Sequence, residues 1–195
     1  AGVHVDELTR FAMKNVNPAD FTDFDLEPFW NDSPVPFLFT GFGATRTISA
    51  PHMIVTLLHH LEVIEGQDII LIGSKGGYLA AIIDRMVGKY GSVTIIEPNE
   101  EVREYTEDRL CNHRSSGLIR VLRPHDLESG DENSKSFERV LITGSVREIP
   151  EAIEHLVIDG GFVLGPFGGP VHQRLLKKER QDEVWFDTDL GGVVF

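Results

Sequence analysis

The feature that most constrains the fold of this chain is a short apolar run that ends in a cluster of glycines. Residues 69–72 read Ile-Ile-Leu-Ile, and the letters GSKGGY follow directly at positions 73–78. A run of this length suits a buried strand, and glycine permits the positive φ angles of a sharp turn. The pattern therefore predicts a strand, a tight turn and a helix, which is the repeating unit of an α/β sheet.

Apolar runs and helical patterns alternate along the rest of the chain. We predict strands at 69–72, 92–96, 118–122 and 138–143, and helices at 77–88, 99–113 and 149–158. This alternation is typical of a doubly wound, mostly parallel α/β sheet with helices on both faces. Beyond the helix end predicted at Gly160 and Gly161, we expect strands at 162–165, 171–177, 184–187 and 191–195. These C-terminal strands predict an antiparallel edge on the parallel sheet.

The first third of the chain does not follow this alternation of strands and helices. Residues 5–13 and 51–61 place apolar side chains at helical intervals, so each stretch predicts a helix. Residues 17–36 are rich in Asp, Pro and Phe and predict an irregular acidic segment. We expect aromatic side chains of this region to cover the core, namely Phe29, Trp30, Phe37, Phe39 and Phe42. A chain of 195 residues is most simply one domain, on which segment 1–36 packs.

Charge and cysteine content limit the partners and the compartment. The formal net charge is −13, and acids dilute the densest basic cluster, at 174–180, so we predict no binding to nucleic acid. No apolar run approaches the roughly 20 residues that span a bilayer, and no signal peptide is evident. The single cysteine, Cys111, excludes an internal disulfide and suits a reducing compartment. We therefore predict a cytoplasmic protein that is not bound to a membrane.

A carboxylate follows the second strand of the predicted sheet. Glu97 comes directly after strand 92–96, about twenty residues beyond the glycines. An acidic side chain at this place in a nucleotide-binding unit accepts hydrogen bonds from both ribose hydroxyls. A glycine turn can also merely reverse the chain, and a carboxylate can cap a strand at the surface. Together the two features favour a nucleotide-type cofactor site, and no histidine has a partner at metal-ligand spacing, so we predict no metal.

Several separate motifs resemble those of one known family, the protein-L-isoaspartate O-methyltransferases. They are TISAPHM at 47–53, the glycine loop at 73–78, IE at 96–97, TGS at 143–145 and GPFG at 165–168. These motifs follow the order and spacing of the family from about Phe29 to Phe195. The resemblance implies a Rossmann-like methyltransferase fold, S-adenosylmethionine as the cofactor and S-adenosylhomocysteine as the product.

The resemblance also implies roles for individual residues. Ser49 lies at the active site, where its hydroxyl orients the acceptor carboxylate. The cofactor-binding residues that it implies are Thr47, Ile48, Gly73, Ser74, Lys75, Gly76, Gly77, Glu97 and Asp126. The substrate-binding residues that it implies are Ser49, Thr143, Gly144, Ser145, Val193 and Val194.

The sequence departs from the pattern of the family at three places beside the cofactor. Leu71 stands where the family usually has an acidic residue, which removes one hydrogen-bond acceptor. Lys75 replaces the central glycine of the loop. Its ammonium either pairs with the methionine carboxylate of the cofactor, or fills the site and repels the sulfonium. Near the adenine, Asp126 is the expected counterpart of the family's aspartate, with His125 as the other candidate.

The sequence leaves three functions open. The leading one is the family's repair reaction, methylation of isoaspartyl carboxylates in damaged proteins, after which the methyl ester collapses to a succinimide. A carboxylate with a pKa of about 4 is already ionised at neutral pH, so its attack on a sulfonium methyl needs no strong base. The second is a related protein that binds a peptide or partner without tight cofactor binding. The third is a methyltransferase that acts on a small metabolite.

Overall fold

The computed structural model describes residues 5–113, 115–129, 136–182 and 184–195. Residues 1–4 of the predicted N-terminal segment lie outside this part of the chain. The described strands are β1 (Val35–Phe39), β2 (Thr45–Ile48), β3 (Asp68–Ile72), β4 (Ser92–Ile96), β5 (Leu118–Leu122), β6 (Phe137–Ile142), β7 (Val157–Gly168), β8 (Gln173–Gln181) and β9 (Val184–Val193). The described α-helices are α1 (Glu7–Asn15), α2 (Glu27–Trp30), α3 (Pro51–Leu61), α4 (Tyr78–Val87), α5 (Glu100–Cys111), α6 (Pro124–Ser129) and α7 (Glu151–Glu154).

Within the described residues, seven strands form one sheet in the order β5-β4-β3-β6-β7-β8-β9. The strands from β5 to β7 run parallel, whereas β8 and β9 are antiparallel to their neighbours. This arrangement confirms the predicted parallel α/β sheet with an antiparallel C-terminal edge. None of the described helices is long and apolar enough to span a bilayer.

Apolar side chains of β3 alternate between two hydrophobic clusters, one on each face of the sheet. Ile69 and Leu71 join the larger cluster with residues of α1, α3 and α4, whereas Ile70 joins the smaller one with Leu127 and Ile153. Successive side chains of a strand point to opposite faces, so helices cover both sides of the sheet. Because helices cover both faces of the sheet, the ends of the strands remain accessible for a ligand-binding site.

The predicted helix at 149–158 is wrong for most of its length. Only α7 is helical, because Val157 already pairs with Phe137 of β6 as the start of β7. Gly160 and Gly161 therefore do not end a helix but lie inside β7, where the register against β6 shifts. The separate strand predicted at 191–195 is also wrong, because residues up to Val193 continue β9.

The region before α3 contains a β-hairpin that the sequence did not indicate. β1 pairs antiparallel with β2, and a register shift separates Pro36 from Leu38. Phe29 and Phe37 are buried as expected, but the exposed fractions of Trp30, Phe39 and Phe42 are 67%, 55% and 95%. The prediction that all these aromatic residues cover the core is therefore wrong. Phe42 lies in the hairpin loop and Phe39 at the end of β1, where neither strand meets the core.

Candidate cofactor site

A cleft opens where the parallel strands β3, β4 and β6 end. Its walls are the loops 73–75, 97–99 and 143–146, and residues 45–47 of the hairpin face them. Phe37 and Phe195 add aromatic surface, and the cleft has a volume of about 500 Å³. Ligands of open α/β sheets bind at the carboxyl ends of the strands, so the topology places a small-molecule site here.

The loop after β3 has a left-handed backbone at four of its positions. The φ angles are 94° at Gly73, 48° at Lys75, 73° at Gly76 and 93° at Gly77. A Cβ atom on Gly73 would clash with Thr143 Oγ1, and the φ angle is one that side chains rarely adopt, so the floor of the cleft requires glycine. Lys75 adopts a left-handed conformation that non-glycine residues rarely adopt.

Glu97 is buried at the head of the cleft and fixed by the backbone. Its Oε2 accepts a hydrogen bond of 2.9 Å from the Ser74 amide, and its Oε1 accepts one of 3.0 Å from the Asn99 amide. A carboxylate offers about four acceptor positions, so further lone pairs remain for two hydroxyl groups of a ligand. Its exposed fraction is only 7%, so Glu97 is not a surface residue that merely caps the end of a strand.

Two buried hydroxyl groups hold the loop against the surrounding elements. Ser74 Oγ lies 2.8 Å from Thr106 Oγ1 of α5. On the other side, Thr143 Oγ1 lies 3.0 Å from the carbonyl oxygens of both Ile72 and Gly73. Each contact ties the loop to a different neighbour, so the cleft floor is braced from α5 and from the end of β6.

The charged side chains among the described residues of the cleft are Arg46, Lys75 and Glu97. Lys75 Nζ lies 5.6 Å from the centroid of the Phe195 ring. Burial lowers the pKa of the Lys75 ammonium, repulsion from Arg46 lowers it further, and Glu97 partly opposes both. The cleft therefore combines one buried acceptor with an excess of positive charge.

The structure brings most of the predicted cofactor residues to this cleft. Those lining it are Thr47, Gly73, Ser74, Lys75 and Glu97, together with the predicted substrate residues Thr143, Gly144 and Ser145. Ile48 packs in the core, and Gly76 and Gly77 are buried residues of the loop that do not line the cleft. Asp126 is not among the described lining residues, because its carboxylate accepts a hydrogen bond of 2.8 Å from the Arg123 amide at the start of α6.

Val193 and Val194 line a second cleft, which includes His52, His172 and Arg174. Ser49 is half-buried and is not among the described residues that line either cleft. In the chain it lies between Thr47, which lines the first cleft, and His52, which lines the second. The predicted substrate residues are thus divided between two neighbouring surfaces rather than gathered at one.

Sequence reasoning missed several residues of the first cleft, among them Arg46, Asn99 and Phe195. Asn99 carried a usable signal, because an asparagine before an acidic turn is a common helix N-cap and its side chain does cap α5. Arg46 carried none, since only the pairing of β1 with β2 brings it to the end of the sheet.

The fold is that of the Rossmann-like methyltransferases. The solved structure of a protein-L-isoaspartate O-methyltransferase from Plasmodium falciparum, in complex with S-adenosyl-L-homocysteine, has a TM-score of 0.81 to this chain. The match covers 99% of this chain and 90% of that one at 20% identity, so it concerns the fold. Another solved protein-L-isoaspartate O-methyltransferase gives a TM-score of 0.85 at 18% identity, covering 98% of this chain and 61% of that one.

Sequence comparison identifies the family of this chain. The chain belongs to the protein-L-isoaspartate(D-aspartate) O-methyltransferase family, whose model matches residues 1–195. A relative of that name from Methanococcus maripaludis is 33% identical over 158 residues, covering 80% of this chain and 71% of the relative. One from Methanococcoides burtonii is 28% identical over 192 residues, covering 97% of this chain and 91% of the relative.

Proposed function

We propose that this protein transfers a methyl group from S-adenosylmethionine to the carboxylate of isoaspartyl residues in damaged proteins. The observation that carries the proposal is the buried Glu97 carboxylate, which keeps free acceptor positions at the head of a glycine-floored cleft. Membership of the family supplies the reaction, and the S-adenosyl-L-homocysteine bound to the Plasmodium falciparum relative supports the cofactor.

The residues of the cleft fit the adenosine part of this cofactor. Glu97 supplies acceptors for ribose hydroxyls, and the glycine floor admits close approach of the ligand to the backbone. Leu71, the departure from the family pattern on β3, is fully buried in the larger hydrophobic cluster and is not among the described lining residues. Leu71 therefore makes no polar contact in the cleft, and Glu97 and the loop after β3 provide these contacts.

The chain needs few catalytic groups for this chemistry. When bound, S-adenosylmethionine supplies a methyl group that passes to a carboxylate oxygen as the carbon–sulfur bond breaks and leaves S-adenosylhomocysteine. The acceptor carboxylate is already ionised at neutral pH, so the protein has to position it and exclude water. Ser49 follows the hairpin strand that faces the cofactor cleft, and its hydroxyl donates a hydrogen bond to the acceptor carboxylate.

The second cleft is the proposed place for the damaged peptide. One of its lining residues, His52, follows Ser49 by three positions in the chain, and the cleft has a volume of about 810 Å³. Val193 and Val194 give it an apolar wall, whereas His52, His172 and Arg174 give it polar groups. A peptide lying there would direct its isoaspartyl side chain toward Ser49, which lies in the chain between residues of the two clefts.

The proposal includes a location in the cytoplasm and no nucleic-acid partner. Cys111 is an exposed free thiol, which suits a reducing compartment. The basic cluster of β8 is largely neutralised by the ion pairs Arg174–Asp189, Lys177–Glu62 and Lys178–Asp187. Paired cations leave little positive surface for a phosphate backbone.

Two matched peptides test the proposed reaction. The protein is expected to bind S-adenosylhomocysteine in calorimetry and to methylate a peptide with one isoaspartyl residue, but not the same peptide with normal aspartate. Binding of S-adenosylhomocysteine with transfer to neither peptide would contradict the isoaspartyl substrate and favour a different acceptor. Absence of binding at millimolar ligand would contradict the methyltransferase activity itself.

Ser49→Ala is expected to lower the rate of methyl transfer about tenfold to a hundredfold while leaving the affinity for S-adenosylhomocysteine within about twofold. The reason is that the hydroxyl acts on the acceptor side, and Ser49 is not among the described residues lining the cofactor cleft. Initial rates with the isoaspartyl peptide and calorimetry measure the two quantities. Ser33→Ala, at an exposed serine, is the matched control. An equal loss of rate and affinity would place Ser49 on the cofactor instead.

A further inference from the structure

Two cations stand at the cofactor cleft without a counter-ion. Among the described residues, the side chains of Arg46 and Lys75 make no ion pair and donate no hydrogen bond. Glu97, the one acidic side chain among the described residues that line the cleft, already accepts hydrogen bonds from two backbone amides. It therefore interacts with Lys75 only at longer range, and the positive charge at this end of the cleft is only partly compensated.

Lys75 is held at the cleft by its surroundings. The loop turns it through a left-handed conformation between Ser74, which is fully buried, and Gly76, which packs on Phe37. The ring of Phe195 lies beside its ammonium. A charged group that is partly removed from water is costly unless an opposite charge or a hydrogen-bond acceptor satisfies it. Burial accordingly lowers the pKa of the Lys75 ammonium, and an anion bound beside it would stabilise the charged form.

We propose that Lys75 binds the α-carboxylate in the amino-acid part of the S-adenosyl cofactor, with Arg46 adding to the attraction. The assignment rests on the proposed function, and it gives a role to the residue that departs from the family's glycine. Charge balance favours it over the alternative that Lys75 blocks the site. The cofactor carries a sulfonium and an ammonium, and its carboxylate is the single anionic group that can meet the unpaired cations.

A pair of ligands that differ only in the carboxylate isolates this contact. S-Adenosylhomocysteine and S-adenosyl-3-thiopropylamine, which lacks the carboxylate, are titrated into the full chain by calorimetry. The unchanged protein is expected to bind S-adenosylhomocysteine at least about tenfold more tightly, as for a hydrogen bond between charged groups. Lys75→Met keeps most of the side-chain volume and is expected to remove this preference, while the affinity for the thiopropylamine stays within about twofold.

A control and a second variant guard against effects on folding. Lys89→Met removes an exposed lysine whose ammonium lies over Tyr90 and outside the cleft, so it should leave both affinities unchanged. Lys75→Gly relieves the left-handed backbone and should raise the melting temperature, yet it should weaken binding of S-adenosylhomocysteine as Lys75→Met does. A stabilised protein with weaker binding cannot be explained by unfolding.

The outcomes separate this assignment from the proposed function. Equal or tighter binding of S-adenosylhomocysteine by Lys75→Met would overturn the assignment and show that the lysine obstructs the site. Equal binding of the two ligands by the unchanged protein would also overturn it, while the proposed function stands. If the unchanged protein bound neither adenosine ligand at millimolar concentration, the proposed function would fail and the assignment with it.

Discussion

Glu97→Gln is expected to weaken binding of S-adenosylhomocysteine about 100-fold, because one substitution disturbs both the loop and the ligand. In the structure each carboxylate oxygen accepts one backbone amide, from Ser74 and from Asn99. A glutamine keeps one oxygen and places an amino group where the other stood. That amino group cannot accept from the facing backbone amide, and it cannot accept from a ribose hydroxyl. Two hydrogen bonds are therefore lost in a buried place.

Calorimetry with S-adenosylhomocysteine measures this effect, and thermal melting checks that the variant is folded. Glu104→Gln is the matched control, because Glu104 is exposed on α5 and is not among the described residues lining the cleft. The control should bind as the unchanged protein does. If Glu97→Gln bound within about threefold of the unchanged protein, the ribose would have to be held by another group.

Asp84→Ala is expected to lower the free energy of unfolding by about 3–5 kcal/mol, the largest loss of stability that we expect from one substitution. Asp84 is a fully buried residue of α4. Its carboxylate accepts hydrogen bonds from Ser115 Oγ at 2.7 Å and from the amides of Ser116 and Gly117 at 2.6 and 2.9 Å. Alanine would leave the amides of Ser116 and Gly117 without this acceptor, together with His113 Nε2, which lies 3.6 Å from the carboxylate.

Urea denaturation of the two proteins measures this loss. Asp108→Ala, at an exposed aspartate of α5, is the control and should change the free energy of unfolding by less than about 0.5 kcal/mol. A loss below about 1 kcal/mol in Asp84→Ala would mean that water replaces the carboxylate at the buried donors.

The same carboxylate gives the stability a defined dependence on pH. Burial raises the pKa of Asp84, but the hydrogen bonds from His113, Ser115, Ser116 and Gly117 together bring it below its usual value. A folded-state pKa below the unfolded one means that the carboxylate stabilises the fold above about pH 4 and loses this contribution as the pH falls further. The stability difference between the unchanged protein and Asp84→Asn should therefore shrink below about pH 4 in urea titrations.

Much of the fold could be predicted because its signals are local. The strands of the parallel sheet are short apolar runs, and the turn after β3 needs glycines whose φ angles are positive in the structure. The prediction of a helix at 149–158 was wrong because the spacing of Ile149, Ile153 and Val157 suits either a helix face or a strand. Pairing with β6, which is a tertiary contact, makes the segment from Val157 a strand.

The candidate site was predictable where it depends on the sheet alone. Glu97 and the loop meet because β3 and β4 are parallel neighbours, which the alternation of strand and helix indicates. Arg46 reaches the cleft only through the hairpin, and Pro36 within β1 is a poor signal for a strand. Asp126 was carried over from the family, and the structure uses its carboxylate at the start of its own helix.

The hydrogen bonds of Glu97 have a consequence for the thermodynamics of ligand binding. Because the amides of Ser74 and Asn99 already fix both carboxylate oxygens, the acceptor is preorganised before any ligand arrives. Ordering of the loop is then part of the free energy of folding, so a ligand does not have to supply that entropy when it binds. The affinity of the cleft for a ligand therefore depends in part on order that is already established when the chain folds.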